Sequence, residues 1–306
     1  MQVNRERLID TFLNLVEIDS LSKGEGKIAA YLIDRLERLG LLVKVDDAGK
    51  KIGGESGNIV ATLRGKEIKP PLLFGAHLDT VEPGQGIKPL IKDDIICSDG
   101  TTILGADDKA GIAIILEAIQ VVRENGLATG NLEFLFTIAE ELGMLGAKNL
   151  DCHLLSSRMG FILDGDEEVG SIINHVPAKI DIKIKTIGRE AHAGSEPEKG
   201  LNAIYVAAKA LAKCKLGRID DETTFNIGII SGGRAVNIVP GEVLLEGEIR
   251  SRDNAKMAHQ IGEIERIFQE TAAELNTQIE LKTEKSFEGY LVDESEEVVR
   301  LVFEAA

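Results

Sequence analysis

Two adjacent carboxylates, Glu140 and Glu141, directly follow an apolar run at residues 132–138 that predicts a buried strand. Burying a carboxylate costs several kcal/mol unless the group is paired or bound to a metal. A bound cation would remove that cost for one glutamate and leave the other free to move protons. The pair therefore indicates metal-assisted acid–base chemistry.

Three further stretches place a histidine or a carboxylate just past a short apolar strand or at a helix start. They contain His77 and Asp79, Asp107 and Asp108, and Asp164. The carboxyl ends of strands gather at one edge of an open α/β sheet, and ligands bind there. Together with the glutamate pair, these residues offer one imidazole and several carboxylates, a set that suits Zn²⁺, Mn²⁺ or Co²⁺.

Each stretch taken alone also has a simpler interpretation. His77 fits an ordinary loop histidine beside an aspartate that caps a turn. Asp107 and Asp108 fit the capping of a helix N-terminus, where carboxylates are common. Asp164 and the glutamate pair are harder to explain in this way, because carboxylates are uncommon at the ends of buried strands.

The spacing of apolar residues in the first half of the chain predicts alternating helices and strands, and this alternation indicates an α/β/α domain with a mainly parallel sheet. The predicted helices are 5–18, 26–39, 107–122 and a short one near 145–149; the predicted strands are 41–45, 58–63, 72–76, 132–138 and 161–163, with a loop at 49–57 and a hairpin within 87–98.

The pattern changes near Pro177, where residues 179–185 alternate strictly between apolar and polar side chains. This alternation is typical of a strand with one polar face. The order β-α-β-β-α-β that follows predicts a ferredoxin-like α+β domain. We assign residues 177–285 to this second domain, and residues 1–176 plus 286–306 to the catalytic domain.

The second domain carries three candidate substrate-binding residues. His192 follows a predicted strand, whereas Asn237 and Arg250 flank a later one. Arg250 could grip a carboxylate through two parallel hydrogen bonds, with Arg252 as a competitor for that role. All of them also fit exposed polar positions that have no further function.

Composition restricts the partners. The formal net charge of −16 argues against binding to nucleic acid or to anionic membranes. The sequence has no transmembrane run and no secretory signal. Its three widely spaced cysteines, Cys97, Cys152 and Cys214, fit a reducing compartment, so we predict a cytoplasmic protein.

A nucleotide-binding protein is the main alternative from another class, because such proteins also use open α/β sheets. Residues 105–111 read GADDKAG, which is not a GxGxxG fingerprint, and the sequence contains no GxxxxGK[ST] motif. A phosphate-binding loop is therefore missing.

At the residues described above, the sequence resembles the peptidase T-like branch of the dinuclear zinc metallopeptidases, relatives of aminoacylase, glutamate carboxypeptidase and succinyl-diaminopimelate desuccinylase. The resemblance extends from Leu8 to the end of the chain and rests on the motifs GAHLDTV, LGADDKAGIA, EELGMLGAKNL, ILDG, GREAHAG and VNIVPGE. It implies an α/β catalytic domain with an inserted ferredoxin-like lid domain.

The resemblance also implies roles for individual residues. His77 resembles a ligand of the first metal, and Asp79 resembles the partner that holds its ring. Asp107 resembles the carboxylate that bridges both metals, and the peptide bond between Asp107 and Asp108 is expected to be cis. Asp164 resembles the remaining ligand of the first metal, and an aspartate at this position favours an aminopeptidase.

Glu140 matches the general base, which we group with Asp79 as a catalytic residue, and Glu141 matches a ligand of the second metal. His192 matches the lid histidine that polarises the scissile carbonyl. Arg250 matches, less closely, the residue that binds the substrate carboxylate.

We therefore expect a dinuclear metal-dependent peptidase that releases N-terminal residues from short peptides. Its two metal ions would be Zn²⁺, with Mn²⁺ or Co²⁺ as alternatives, and a homodimer through the lid domain is a further expectation. Two alternatives stay open: an amidohydrolase that deacylates N-acyl amino acids, and a metal-poor paralogue that binds peptides without cleaving them.

One feature of the resemblance has no counterpart in this sequence. The related enzymes have a last histidine ligand near the C-terminus, and the remaining histidines, His153, His175 and His259, lie in no matching motif. We therefore expect a truncated form of a longer protein, in which the first metal is held more tightly than the second.

Overall fold

Secondary structure follows the hydrophobic pattern of the sequence in the computed structural model, which describes residues 2–165 and 168–305. The chain packs as two units, residues 1–169 and residues 170–306. Each unit has an apolar core of its own.

The first unit alternates helices and strands in the predicted order. Its elements are α1 (Arg5–Val16), α2 (Gly26–Arg38), β1 (Leu42–Val45), α3 (Ala48–Ile52), β2 (Ile59–Leu63), β3 (Leu72–His77), β4 (Pro89–Lys92), β5 (Ile95–Ser98), α4 (Ala106–Glu124), β6 (Leu132–Thr137), α5 (Leu145–Lys148) and β7 (Met159–Ile162).

Helix α3 corrects one prediction, because residues 49–52 of this helix lie in the segment 49–57 that we expected to form a loop. Ala48 and Gly49 of this short helix are buried. Gly49 packs so closely on the following segment that a Cβ atom there would lie 1.8 Å from the carbonyl oxygen of Ser56. Tertiary packing therefore forms this single turn, which is too short to show a helical period in the sequence.

The main sheet of the first unit has the strand order β1-β2-β6-β3-β7. Strands β6, β3 and β7 are mutually parallel, whereas β2 is antiparallel to both β1 and β6. Four of the five strands thus run in one direction, as the mainly parallel prediction requires. The carboxyl ends of β3, β6 and β7 consequently lie at the same edge of the sheet.

Helix α4 anchors that edge to the core. It packs against β3 and α1, and its apolar face, formed by Ile112, Ile115, Leu116 and Ile119, is buried. The N-terminal end of α4 is thereby fixed next to the end of β3.

A buried ion pair joins α1 to α4. Arg7 Nε lies 2.6 Å from Glu117 Oε2, and the backbone N–H of Asn4 donates to Glu117 Oε1 at 2.8 Å. Glu117 is only 4% exposed. Hydrogen bonding to the Arg7 guanidinium holds the pKa of Glu117 below its ordinary value.

Glu117→Gln is expected to lower the free energy of unfolding at pH 7 by about 2 kcal/mol, because a charge-assisted hydrogen bond is lost. The folded pKa of Glu117 lies below the unfolded value of about 4.3. The contribution of the ion pair is therefore fully present above that value and is lost as pH falls through the folded pKa. Urea unfolding of both proteins between pH 7 and about pH 2 would measure this.

Glu124→Gln is the matched control for this prediction, because Glu124 pairs with the same arginine but its side chain is 53% exposed. Its substitution should change stability by well under about 1 kcal/mol. A Glu117→Gln effect that persists undiminished at acid pH would show that the ion pair is not its source.

The second unit has the order of elements that we predicted for a ferredoxin-like domain. Its elements are β8 (His175–Val176), β9 (Ala178–Ile187), α6 (Ala203–Leu211), β10 (Gly217–Arg218), β11 (Thr223–Gly232), β12 (Glu242–Ser251), α7 (Asn254–Glu274), β13 (Ile279–Phe287), β14 (Tyr290–Leu291) and α8 (Glu297–Ala305).

The sheet of this unit has the strand order β10-β11-β12-β9-β13, and all neighbours are antiparallel. Along β9, the buried side chains of Ile182, Ile184 and Thr186 alternate with those of Lys183 and Lys185, which are more exposed. Helices α6 and α7 pack on this sheet. The period of two in the sequence thus gives one covered face and one polar face.

Strand β14 pairs with β8, and both lie in the second unit. The assignment of residues 177–285 to the second domain and of residues 286–306 to the catalytic domain stays a prediction. Among the described residues, no helix combines the length and the apolar composition that a membrane span needs.

Candidate metal centre

His77 is the last residue of β3 and is only 2% exposed. Its Nε2 lies 2.8 Å from Asp107 Oδ1, and its Nδ1 lies 3.5 Å from Asp79 Oδ1. Its backbone N–H donates to Asp108 Oδ2 at 3.1 Å. The ring nitrogens of His77 therefore face two aspartates, Asp79 and the more exposed Asp107, and a third aspartate holds its backbone.

The two aspartates at the start of α4 play different structural parts. Asp108 is buried and accepts a hydrogen bond from the backbone N–H of Gly111, as a capping residue does. The side chain of Asp107 is 69% exposed. The peptide bond between them is cis, which confirms the expectation from the resemblance. Capping thus accounts for Asp108 and leaves the Asp107 carboxylate available to a ligand.

A sharp turn presents Glu140 and Glu141 at the end of β6. Ala139 is buried and has a φ of 48°, in the left-handed region that residues other than glycine rarely adopt. The next two backbone N–H groups donate to Asp79: that of Glu140 to Oδ1 at 2.9 Å and that of Glu141 to Oδ2 at 3.2 Å. Asp79 therefore fixes the backbone of both glutamates.

Asp164 follows β7 and is exposed at the same edge of the sheet. The backbone N–H of Leu163 donates to the carbonyl of Gly75 at 2.9 Å, which continues the pairing of β7 with β3 up to this point. Asp164 is thereby held next to the end of β3, as its place after a short apolar strand predicts. β7 itself is an edge strand whose residues are half-buried or exposed, so the expectation of a buried strand before Asp164 is wrong.

These side chains form two overlapping groups that could each hold a metal ion: His77, Asp107 and Glu141 in one, and His77, Glu140 and Asp164 in the other. Within each group, one ligand atom per residue lies within 4.8 Å of the others. Nitrogen and oxygen donors of this kind fit Zn²⁺, Mn²⁺ or Co²⁺. The two groups share His77, whereas the resemblance assigns the bridging position to Asp107.

The charges of these side chains also favour a bound divalent cation. Burial raises the pKa of Glu140 and of Glu141, and neighbouring carboxylates add to that shift. Burial lowers the pKa of His77, but Asp79 and Asp107 outweigh this effect and raise it to about 10. The site thus holds more negative charge than one imidazole balances, and a divalent cation would neutralise the excess.

The other histidines that we considered as ligands are not brought to this centre. Across residues 2–165 and 168–305, neither His153 nor His175 belongs to a group with metal-binding geometry. His153 lies on an exposed single turn, and His175 lies in β8.

His192 and Asn237 lie on paired segments of the second unit. Ile238 forms a backbone bridge with His192, and the N–H of Ala193 donates to the carbonyl of Asn237 at 2.9 Å. His192 Nδ1 accepts hydrogen bonds from the N–H groups of Gly194 and Ser195, both at 3.1 Å. The proton of the neutral ring is therefore on Nε2, which leaves an exposed hydrogen-bond donor.

Arg250 is placed differently. It lies at the end of β12 remote from Glu242, and the carbonyl of the neighbouring Gly241 accepts from Gly188, near the His192 segment. Arg250 is therefore about 26 Å from the end of β12 that lies near His192, which is the length of the strand between Glu242 and Arg250. Its guanidinium bonds to both carboxylate oxygens of Glu248, at 2.9 and 3.3 Å. Within the unit, Arg250 is not brought together with His192 and Asn237, and its substrate-binding role stays a prediction.

Two residues that support the centre were not singled out from the sequence. Ser22 Oγ donates to Asp79 Oδ2 at 2.6 Å, and Glu25 Oε1 accepts from the N–H of Ala139 at 2.9 Å. The spacing Ser22-x-x-Glu25 ahead of a helix is typical of a capping box, so the local signal indicates a different role for both residues.

A mainly parallel α/β sheet that gathers one histidine and four carboxylates at its edge, with a separate ferredoxin-like domain, defines the class of the protein: a metal-dependent hydrolase. Comparison with known proteins narrows this class.

Residues 58–166 match the family described as Peptidase family M28, and residues 178–276 match the family described as Peptidase dimerisation domain. A solved tripeptidase from Staphylococcus aureus is 42% identical, with a TM-score of 0.96 over 100% of this chain and 82% of that one. A solved aminopeptidase PepT from Bacillus cereus is 42% identical, with a TM-score of 0.90 over 98% of this chain and 80% of that one.

Curated Peptidase T from Escherichia fergusonii is 27% identical over 245 residues; the match covers 68% of this chain and 60% of that relative. The chain belongs to the peptidase T-like branch of the dinuclear metallopeptidase superfamily. The resemblance seen in the sequence is thus confirmed.

Proposed function

We propose that the chain removes the N-terminal residue from short peptides, with two divalent metal ions as cofactors. The observation that carries this proposal is the convergence of His77, Asp107, Glu140, Glu141 and Asp164 at one sheet edge. Tripeptides are the proposed substrates, because the S. aureus relative is described as a tripeptidase.

His77, Asp107, Glu141 and Asp164 would hold the metal ions, with Zn²⁺ as the proposed metal and Mn²⁺ or Co²⁺ as alternatives. When bound, such ions polarise a carbonyl oxygen and lower the pKa of a coordinated water toward about 7.

Glu140 is the proposed general base. Its carboxylate is half-buried and its pKa is raised by burial, which makes it a better proton acceptor than an exposed glutamate. One carboxylate oxygen would take a proton from the attacking water and return it to the leaving amine. Its backbone is fixed by Asp79, so the carboxylate does not have to be repositioned between the two transfers.

His192, Asn237 and Arg250 are the proposed substrate-binding residues. The Nε2 proton of His192 would donate to the oxygen of the scissile carbonyl and stabilise the negative charge that develops there. The Asn237 segment holds the His192 segment through backbone hydrogen bonds, so both would act from one rigid surface.

A hydrolysis assay tests the proposed function. Metal-free protein, reloaded separately with Zn²⁺, Mn²⁺ or Co²⁺, is given a tripeptide with a free amine, its N-acetylated form and an N-acetyl amino acid. Release of the N-terminal residue from the free tripeptide alone, abolished by a chelator, is the expected result.

In sedimentation equilibrium the same preparation is expected to be a dimer through residues 178–276.

Other outcomes of this assay would decide for the alternatives. Cleavage of the N-acetyl amino acid in preference to the tripeptide would show a deacylase. Tight peptide binding without cleavage in any metal state would show a non-catalytic peptide-binding protein.

A further inference from the structure

Glu25 is a fully buried carboxylate that the proposed reaction does not use. It occupies the N-cap position of α2, yet its side chain makes no hydrogen bond to that helix. Its Oε1 instead accepts from the N–H of Lys23 and from the N–H of Ala139, both at 2.9 Å. The second contact joins positions 114 residues apart in the chain.

Ala139 is the residue at which the chain turns from β6 into the two glutamates. Three successive N–H groups there point at buried carboxylates: that of Ala139 at Glu25, and those of Glu140 and Glu141 at Asp79. A buried backbone N–H without an acceptor costs about 1–3 kcal/mol. Glu25 therefore supplies the one acceptor in this turn that Asp79 does not.

We propose that Glu25 is a positioning residue for the peptidase reaction. By binding the N–H of Ala139 it holds this residue in its left-handed conformation, and so sets the direction in which Glu140 and Glu141 leave the strand. This inference rests on the proposed function, since it assigns Glu25 to the same site.

Simple stabilisation of α2 is the competing explanation, and the contacts argue against it. A residue that caps α2 would bond to the free N–H groups of its first turn. The N–H of Gly26, at the start of that turn, is bonded instead to Glu55 Oε2 at 3.3 Å. Glu25 thus binds the turn at Ala139, whereas Glu55 accepts the N–H at the start of α2.

Three variants test the proposal. Glu25→Leu removes the acceptor, and turnover of the tripeptide is expected to fall about 10- to 100-fold with little change in KM. Glu25→Gln keeps one acceptor oxygen, and its amide nitrogen replaces Oε2, which has no hydrogen-bond partner in the structure. This variant should recover most of the lost turnover. Glu55→Leu, the matched control, should leave turnover unchanged.

A second measurement reports on the turn itself. Hydrogen exchange of the amides of residues 139–141 is expected to be slow in the wild-type protein, faster in Glu25→Leu and restored in Glu25→Gln. Exchange elsewhere in the first unit should be unchanged. Normal turnover in Glu25→Leu, or an Ala139 amide that exchanges rapidly in the wild-type protein, would overturn the proposal.

The exchange experiment also separates this inference from the proposed function and from a failure to fold. If the wild-type protein cleaves no peptide, the proposed function fails, yet the exchange of the Ala139 amide still tests the Glu25 contact. If Glu25→Leu does not fold, the wild-type exchange rate and the turnover of Glu25→Gln decide instead.

Discussion

Replacing Glu140 with Gln is expected to lower the turnover of peptide hydrolysis by at least about 100-fold, the usual contribution of a positioned general base. The amide has almost the same shape as the carboxylate but cannot accept a proton. The backbone N–H of Glu140 still donates to Asp79, so the turn should keep its conformation. Turnover under saturating substrate, measured together with metal content, checks this result.

Metal content decides how the loss is interpreted. Glu140 also lies within 4.8 Å of His77 and Asp164 in ligand-atom geometry, so it could serve as a ligand instead of a base. Full metal occupancy in Glu140→Gln supports the role of base, and loss of metal would contradict it. Glu141→Gln is the matched comparison, because the same substitution at a proposed metal ligand should lower metal occupancy.

Asp79→Asn is expected to have an effect of similar size, about 100-fold or more on turnover, although Asp79 belongs to neither group of candidate metal ligands. Both of its oxygens accept N–H groups: Oδ1 from Glu140 and Oδ2 from Glu141. An asparagine must place its NH₂ group against one of these donors. The backbone N–H of one glutamate would therefore lose its acceptor. The NH₂ group of the asparagine and this N–H would be two buried donors facing each other, and their repulsion would displace the turn.

Asp46→Asn provides a control with the same change of groups. Both oxygens of Asp46 also accept N–H groups, from Ala48 and Asn58 at Oδ1 and from the Asn58 side chain at Oδ2. These contacts lie outside the metal centre. Asp46→Asn should lower stability and leave turnover per folded molecule unchanged. Equal losses of turnover in both variants would show that general destabilisation is responsible.

Much of the fold and of the centre could be predicted because the relevant signals are local. The period of two in residues 179–185 and the apolar spacing of α4 indicate which faces of these elements are buried. His77, Glu140 and Asp164 could be placed together because each lies at or just past the end of a short apolar strand. The topology of a mainly parallel sheet then brings these positions to one edge.

The features that could not be predicted depend on contacts between distant segments. Glu25 has the spacing of a helix cap, and only the folded chain shows that Ala139 is its partner. The left-handed conformation of Ala139 is likewise imposed by acceptors from other segments, because alanine has no preference for it.

The exposure of the centre divides it into an outer and an inner layer. Asp107 and Asp164 face solvent, whereas His77, Asp79 and Glu25 are buried. The carboxylates of Asp79 and Glu25 are also bonded to backbone N–H groups. A chelator can therefore reach the metal positions without opening the core, so stripping and reloading should be reversible. For protein engineering, the two outer aspartates are thus the positions at which metal selectivity can be changed with least disturbance to the scaffold.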